Sequence, residues 1–209
     1  MKKILFIILI SCFSLIIISC SEDKEESTTD TVSTTSQMGG SIQGAELSLS
    51  TVVTTLAGTV DNGSANGTGT SASFYLPQGI TTDGTNLYVT DSENHLIRKI
   101  VISTGVVTTL AGTGSSGSAN GTGTSASFYY PVPITTDGTN LYVADKGNHL
   151  IRKIVISTGA VTTLAGTGSS GSANGTGTSA SFDDPQGITT DGTNLYVADR
   201  GNHLIRKIE

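Results

Sequence analysis

The sequence predicts an all-β fold: a β-propeller built of four-stranded antiparallel blades, with three blades in this chain. Three observations lead there. Asn94-His95-Leu96-Ile97-Arg98-Lys99-Ile100 recurs from Asn148 and again from Asn202, a spacing of 54 residues both times. Each copy is made of short β-branched runs between turn residues, with no sustained 3.6-residue apolar period, so no helix is expected in the repeats. The strands are apolar on both faces, which suits small sheets stacked around an axis and not a lone sheet.

The chain begins with a different segment. Met1-Lys2-Lys3 is basic, and residues 4–18 are apolar apart from Ser11, Cys12 and Ser14. That run is shorter than the roughly 20 residues a spanning helix needs. Basic start, short apolar core and small residues after it mark residues 1–19 as a cleaved leader. Ile17-Ile18-Ser19-Cys20 resembles a lipobox, whose Cys becomes a lipid-bearing N-terminus; Leu9-Ile10-Ser11-Cys12 leaves too short a core. The expected product is a lipoprotein of a bacterial cell envelope, held to the membrane through Cys20 and facing the periplasm or the exterior. Both cysteines lie in this segment, so the repeats hold no disulfide and no Cys-based metal site.

Residues 20–50 read as a tether. Ser21-Glu22-Asp23-Lys24-Glu25-Glu26 is acidic, and Ser, Thr, Gly and Gln follow with few large apolar groups. Such a composition buries too little surface to offset ordering entropy.

Residues 51–209 divide into repeats 51–104, 105–158 and 159–209. Residues 105–155 and 159–209 differ at seven of 51 aligned positions. In the middle copy, Val106-Val107-Thr108-Thr109-Leu110 is a strand. Ile134-Thr135-Thr136 is a second, Asp137-Gly138-Thr139-Asn140 is a hairpin turn, and Leu141-Tyr142-Val143-Ala144 is a third strand. Residues 150–156 form the next. In this frame residues 51–56 are the last strand of a blade, and the final blade ends on its third strand, residues 204–208.

The chain resembles the NHL-repeat family. Asn-His-Leu occurs three times, alongside Pro-x-Gly-Ile-Thr-x-Asp at 77–83 and 185–191, Asn-Leu-Tyr-Val-x-Asp, and Ile-Arg-Lys-Ile. The resemblance covers residues 51–209 and implies propellers that typically have six blades. Three do not close. A head-to-tail homodimer, residues 51–56 of each subunit completing the blade at 185–208 of the other, would supply six and cover edges that otherwise invite aggregation. The resemblance also allows an enzyme, a lyase or lactonase-like hydrolase with metal in the central channel.

Residue chemistry favours a binding or interaction scaffold over that alternative. Asp91, Asp145 and Asp199, with His95, His149 and His203 and with Arg98, Arg152 and Arg206, occur in every copy. A ring of His and Asp could ligate a metal, but a set present in every blade reads more simply as a pairing that ties strand ends together. No Ser-His-Asp or Cys-His set is visible, and no metal site, catalytic residue or cofactor is assigned. The glycine-rich stretch 117–128 has no Lys or helix after it to make a phosphate loop. A calcium loop from Asp61 fails because the twelfth position is Ala72. Phe74, Phe128 and Phe182 are expected to plug into the core.

Copies this similar point to function where they diverge. Tyr75-Leu76 aligns with Tyr129-Tyr130 and Asp183-Asp184; Ser92-Glu93 aligns with Lys146-Gly147 and Arg200-Gly201. Both positions precede or follow strands on the same rim, as does the 117–128 connection. Tyr75, Leu76, Ser92, Glu93, Tyr129, Tyr130, Lys146, Asp183, Asp184 and Arg200 are therefore the candidate binding residues. The ligand is open among protein, peptide and glycan. Residues 51–209 carry 8 Lys and Arg against 11 Asp and Glu, a net of −3, which excludes a nucleic-acid partner bound through a basic surface.

Overall fold

The structure, a computed structural model, describes residues 47–209; the leader, Cys20 and most of the tether lie outside the described residues. Thirteen antiparallel strands fall into three sheets. The first contains β1 (Gly67–Thr68), β2 (Pro77–Thr82), β3 (Asn86–Asp91), β4 (Leu96–Val101) and β5 (Val106–Ala111), in the order β1-β5-β4-β3-β2. The second repeats it with β6 (Gly121–Thr122), β7 (Pro131–Thr136), β8 (Asn140–Asp145), β9 (Leu150–Val155) and β10 (Ala160–Ala165). The third has only β11 (Pro185–Thr190), β12 (Leu195–Asp199) and β13 (Leu204–Ile208).

Each complete blade therefore takes its fourth strand from residues that open the next sequence repeat: β5 pairs β4 with Lys99 opposite Thr108 and Ile100 opposite Val107. Three expectations need correction. The two complete sheets have five strands, because Gly67–Thr68 and Gly121–Thr122 add a two-residue strand outside β5 and β10. Residues 51–56 are no strand here, since they pair with nothing among the described residues. Six three-residue 3₁₀ turns are present, for example Ser92–Asn94 and Lys146–Asn148. These are too short to produce a periodic apolar signal.

The core lies between the sheets. Tyr88, Ile97 and Ala111 of the first sheet pack against Phe128, Leu141, Val143, Ile154 and Val161 of the second. Ala144, Ile151 and Ala165 of the second meet Phe182 and Val197 of the third. Phe128 and Phe182 are buried as expected; Phe74 is half-buried because no sheet among the described residues covers its side of the first blade. The strands β2, β7 and β11 contact one another in sequence, which places them innermost.

The hairpin turns explain one repeated cluster. Asp137 accepts hydrogen bonds from the Thr139 and Asn140 backbone N–H groups, at 2.8 and 2.6 Å, and from the Tyr142 hydroxyl at 2.8 Å. Gly138 takes φ +86 at no steric cost. Burial pushes the Asp137 carboxyl up, but the hydrogen bonds from Asn140, Thr139 and Tyr142 more than offset it and hold the group below the usual carboxylate range. Such a depressed group stabilises the fold above its unfolded value and loses that contribution as pH falls toward its folded one. An Asp137→Asn chain is expected to be less stable than the parent at pH 7. The gap should narrow below about pH 4, measured by urea unfolding across a pH series; a gap independent of pH would refute the ionic reading.

Candidate functional site

Every blade builds its rim on a buried ion pair. Arg152 Nη1 donates to Asp145 Oδ2 at 2.8 Å, with both side chains fully buried. The same pair recurs as Arg98–Asp91 at 2.7 Å and Arg206–Asp199 at 2.9 Å. Arg152 also donates to the Ser127 and Ala119 carbonyls and to Asn120 Oδ1, and its guanidinium lies 5.3 Å over the Phe128 ring. The small-residue connection 117–128 is thus wound around a cation. It docks against the blade.

The second oxygen of each Asp carries the divergent loop. Asp91, Asp145 and Asp199 accept from the N–H of Tyr75, Tyr129 and Asp183 at 2.6, 2.7 and 2.7 Å. The two divergent positions then meet: Glu93 N–H donates to the Tyr75 carbonyl, Gly147 to Tyr129 and Gly201 to Asp183, at 3.2, 2.8 and 2.9 Å. A constant Asp-Arg pair holds two variable residues side by side in each blade.

Between the second and third blades these residues converge. A cleft of about 440 Å³ is lined by Tyr129, Tyr130, Lys146, Gly147, His149 and Asp184. Lys146 Nζ lies 3.1 Å from Asp184 Oδ1 and 5.3 Å over the Tyr130 ring. Arg200 Nη1 reaches Asp184 Oδ2 at 2.6 Å, and Gln186 donates to the same oxygen at 3.1 Å. Burial pushes the Asp184 carboxyl up, but hydrogen bonds from Lys146, Arg200 and Gln186 carry it below its ordinary value. Asp183 lies 3.5 Å from His149 Nδ1. Tyr129 is exposed and stands edge-on to His95 at 5.7 Å.

The candidates in the first blade behave differently. Tyr75 and Leu76 are exposed and lie apart from this cleft, beside one lined by residues 57–62. Ser92 is fully buried and donates to the Pro131 carbonyl at 2.6 Å, so it joins blades and offers nothing to a ligand. Glu93 is exposed.

The repeated histidines do not form a ring of ligands. His95, His149 and His203 have φ of 56, 54 and 59, ending the 3₁₀ turns in the left-handed region. His95 Nδ1 accepts the Tyr130 N–H of the next blade at 3.2 Å, and His149 Nδ1 accepts that of Asp184 at 3.5 Å. Tyr130 and Asp184 are themselves left-handed, with φ of 54 and 49. Among the described residues no group of three or more His, Cys, Asp or Glu could hold a metal ion. Nothing in composition signals the His contact, which depends on backbone conformation.

The signature described as NHL repeat matches residues 74–100 and 182–208. The chain carries NHL repeats. Each match runs from the phenylalanine under the arginine to the end of a blade's third strand. Over 154 residues this chain is 33% identical to NHL repeat-containing protein 2 of Homo sapiens, covering 66% of this chain and 21% of that protein. It is 35% identical over 152 residues to Protein SUPPRESSOR OF QUENCHING 1, chloroplastic, of Arabidopsis thaliana, covering 66% and 14%. The chain thus spans about a fifth or less of these relatives. Among solved structures, an auxiliary nutrient binding protein from Bacteroides ovatus ATCC 8483 superposes with a TM-score of 0.58 at 25% identity. That match covers 68% of this chain and 39% of the other.

Proposed function

We propose that this chain is an envelope lipoprotein, anchored through Cys20, whose NHL blades form part of a propeller that binds an extracytoplasmic ligand at one rim. One observation carries the reading: among copies that are otherwise near-identical, the divergent residues Tyr129, Tyr130, Lys146 and Asp184 line one cleft, with Arg200 paired to Asp184. Tyr129 and Tyr130 present aromatic surface there, while Lys146, Asp184 and Arg200 supply fixed charges. A mostly rigid scaffold with divergent side chains at one edge is how binding surfaces are commonly carried. The likeness to a nutrient-binding protein supports the same reading at the level of fold and class.

The full chain, displayed on beads, should retain a defined peptide or glycan when screened against arrays of both. Tyr130→Ala and Arg200→Ala should weaken that binding about tenfold or more, the effect of losing a contact worth roughly 1.4 kcal/mol. Lys99→Ala, away from the rim, should leave it unchanged. Retention that ignores both rim substitutions, or no retention from either array, would overturn the proposal. Globomycin-sensitive labelling of the full chain with radiolabelled palmitate, lost in Cys20→Ala, tests the anchor.

A further inference from the structure

Both ends of the blade series display contacts that the interior boundaries use up. The first sheet's outer face exposes Ile80 at 61%, where the equivalent Ile134 is 6% exposed. The third sheet exposes Ile205 at 77%, where Ile97 and Ile151 are fully buried. These are the two halves of one interface. The side that Tyr88 and Ile97 offer to the second blade is the side that Tyr196 and Ile205 leave open. The side that Ile134, Leu141 and Val143 offer backward is the side that Ile80, Leu87 and Val89 leave open.

The backbone is left unfinished in the same complementary way. A cleft of about 550 Å³ lies between β13 and residues 174–177, lined also by Ala165, Ala180 and Phe182. In the first two blades that place is filled by β5 and β10, each sandwiched between a third strand and the two-residue outer strand. The strand sequences there are Val-Val-Thr-Thr-Leu-Ala and Ala-Val-Thr-Thr-Leu-Ala. Residues 52–57 repeat Val-Val-Thr-Thr-Leu-Ala, pair with nothing among the described residues, and expose Val53 at 95%. The polar link is also split. Leu76 is left-handed at φ 50, as Tyr130 and Asp184 are, yet its N–H meets no histidine; His203 holds the position of His95 and His149, yet accepts no following N–H.

We propose that these ends join between two copies of this chain, residues 52–57 of each copy forming the fourth strand of the other's third blade. The occupant is argued from the pattern: the missing strand, the apolar face and the histidine's donor are all present, in matching register, at the opposite end of the same molecule. Propellers typically hold four to eight blades, and six is the multiple of three in that range, so two copies close a ring with two-fold symmetry. The β4–β5 register transfers directly. Ile205 would face Ala57, Arg206 Thr55, Lys207 Thr54 and Ile208 Val53 of the second copy. His203 would accept the N–H of its Leu76.

Cross-strand neighbours in an antiparallel pair have Cα atoms about 4.5–5.5 Å apart, within disulfide reach. Thr54 is exposed and Lys207 has a largely open side chain, so both tolerate replacement. Full chains carrying Thr54→Cys and Lys207→Cys are to be co-expressed, exported and run on non-reducing gels. The expected result is a mixed covalent dimer at about tenfold or more above either single variant, because pairing raises effective concentration. A chain carrying both substitutions should give a dimer and no ladder. No mixed dimer, an internally bridged monomer, or a ladder of open oligomers would overturn the closed ring. Sedimentation of the unsubstituted full chain as a monomer would also overturn it. Rim binding is scored separately, by the Tyr130→Ala comparison.

Discussion

An Arg152→Met chain is expected to lose about 3–5 kcal/mol of stability, the range for breaking a buried ion pair from one side. The side chain is fully buried, and its removal leaves the Asp145 carboxylate in the core with only the Asn148 side chain and the Tyr129 N–H as partners. Three further acceptors lose a hydrogen bond: the Ser127 carbonyl, the Ala119 carbonyl, which keeps the Ser127 N–H, and Asn120 Oδ1, which keeps the Thr163 hydroxyl. For that reason an Asp145→Leu, Arg152→Met chain should remain well below the parent, although paired replacement of an isolated buried salt bridge is often neutral. Urea unfolding of the full chains, followed by circular dichroism, reads both numbers. A loss under about 1 kcal/mol for the single variant would show that the pair is dispensable.

Phe128→Ala should cost a similar amount, about 3–5 kcal/mol, as a large aromatic deletion in a closed core. Phe128 is fully buried against the first blade, and the Arg152 guanidinium rests on its ring. Phe74 occupies the same repeat position and carries Arg98 at 5.1 Å, but it is only half-buried. Phe74→Ala should therefore cost clearly less in a single chain. Equal losses would mean that the outer face of the first blade is covered in solution, which ties this comparison to the proposed pairing of copies. The contrast isolates environment from chemistry, since the residue type, its repeat position and the arginine over its ring are the same.

Much of the fold is legible in the residues because repetition multiplies a weak strand signal. Asp145, Arg152 and their equivalents recur with the strands, and a buried guanidinium demands a carboxylate, so their pairing can be read without coordinates. The role of Ser92 cannot. Its divergence from Lys146 and Arg200 marks it as variable, but whether a short hydroxyl faces solvent or a neighbouring carbonyl depends on how closely two sheets approach. The histidines are opaque for a related reason: the left-handed turn that aims each Nδ1 at the next blade leaves no mark in composition. Residues 52–57 show the opposite limit. Their strand character is plain from equivalence with Val106–Ala111, yet a strand exists only against a partner, and they have none among the described residues.

The permuted frame of the blades has a kinetic consequence. β5 and β10 differ at one residue in six, and each must leave its own repeat to finish the preceding blade. During refolding a third strand therefore meets several nearly equivalent suitors, and choosing the wrong one offsets the chain by a whole unit while satisfying almost every local preference. Such mis-threaded species would be compact, long-lived and more abundant at high protein concentration. Near-perfect self-similarity thus trades speed of correct assembly for ease of duplication.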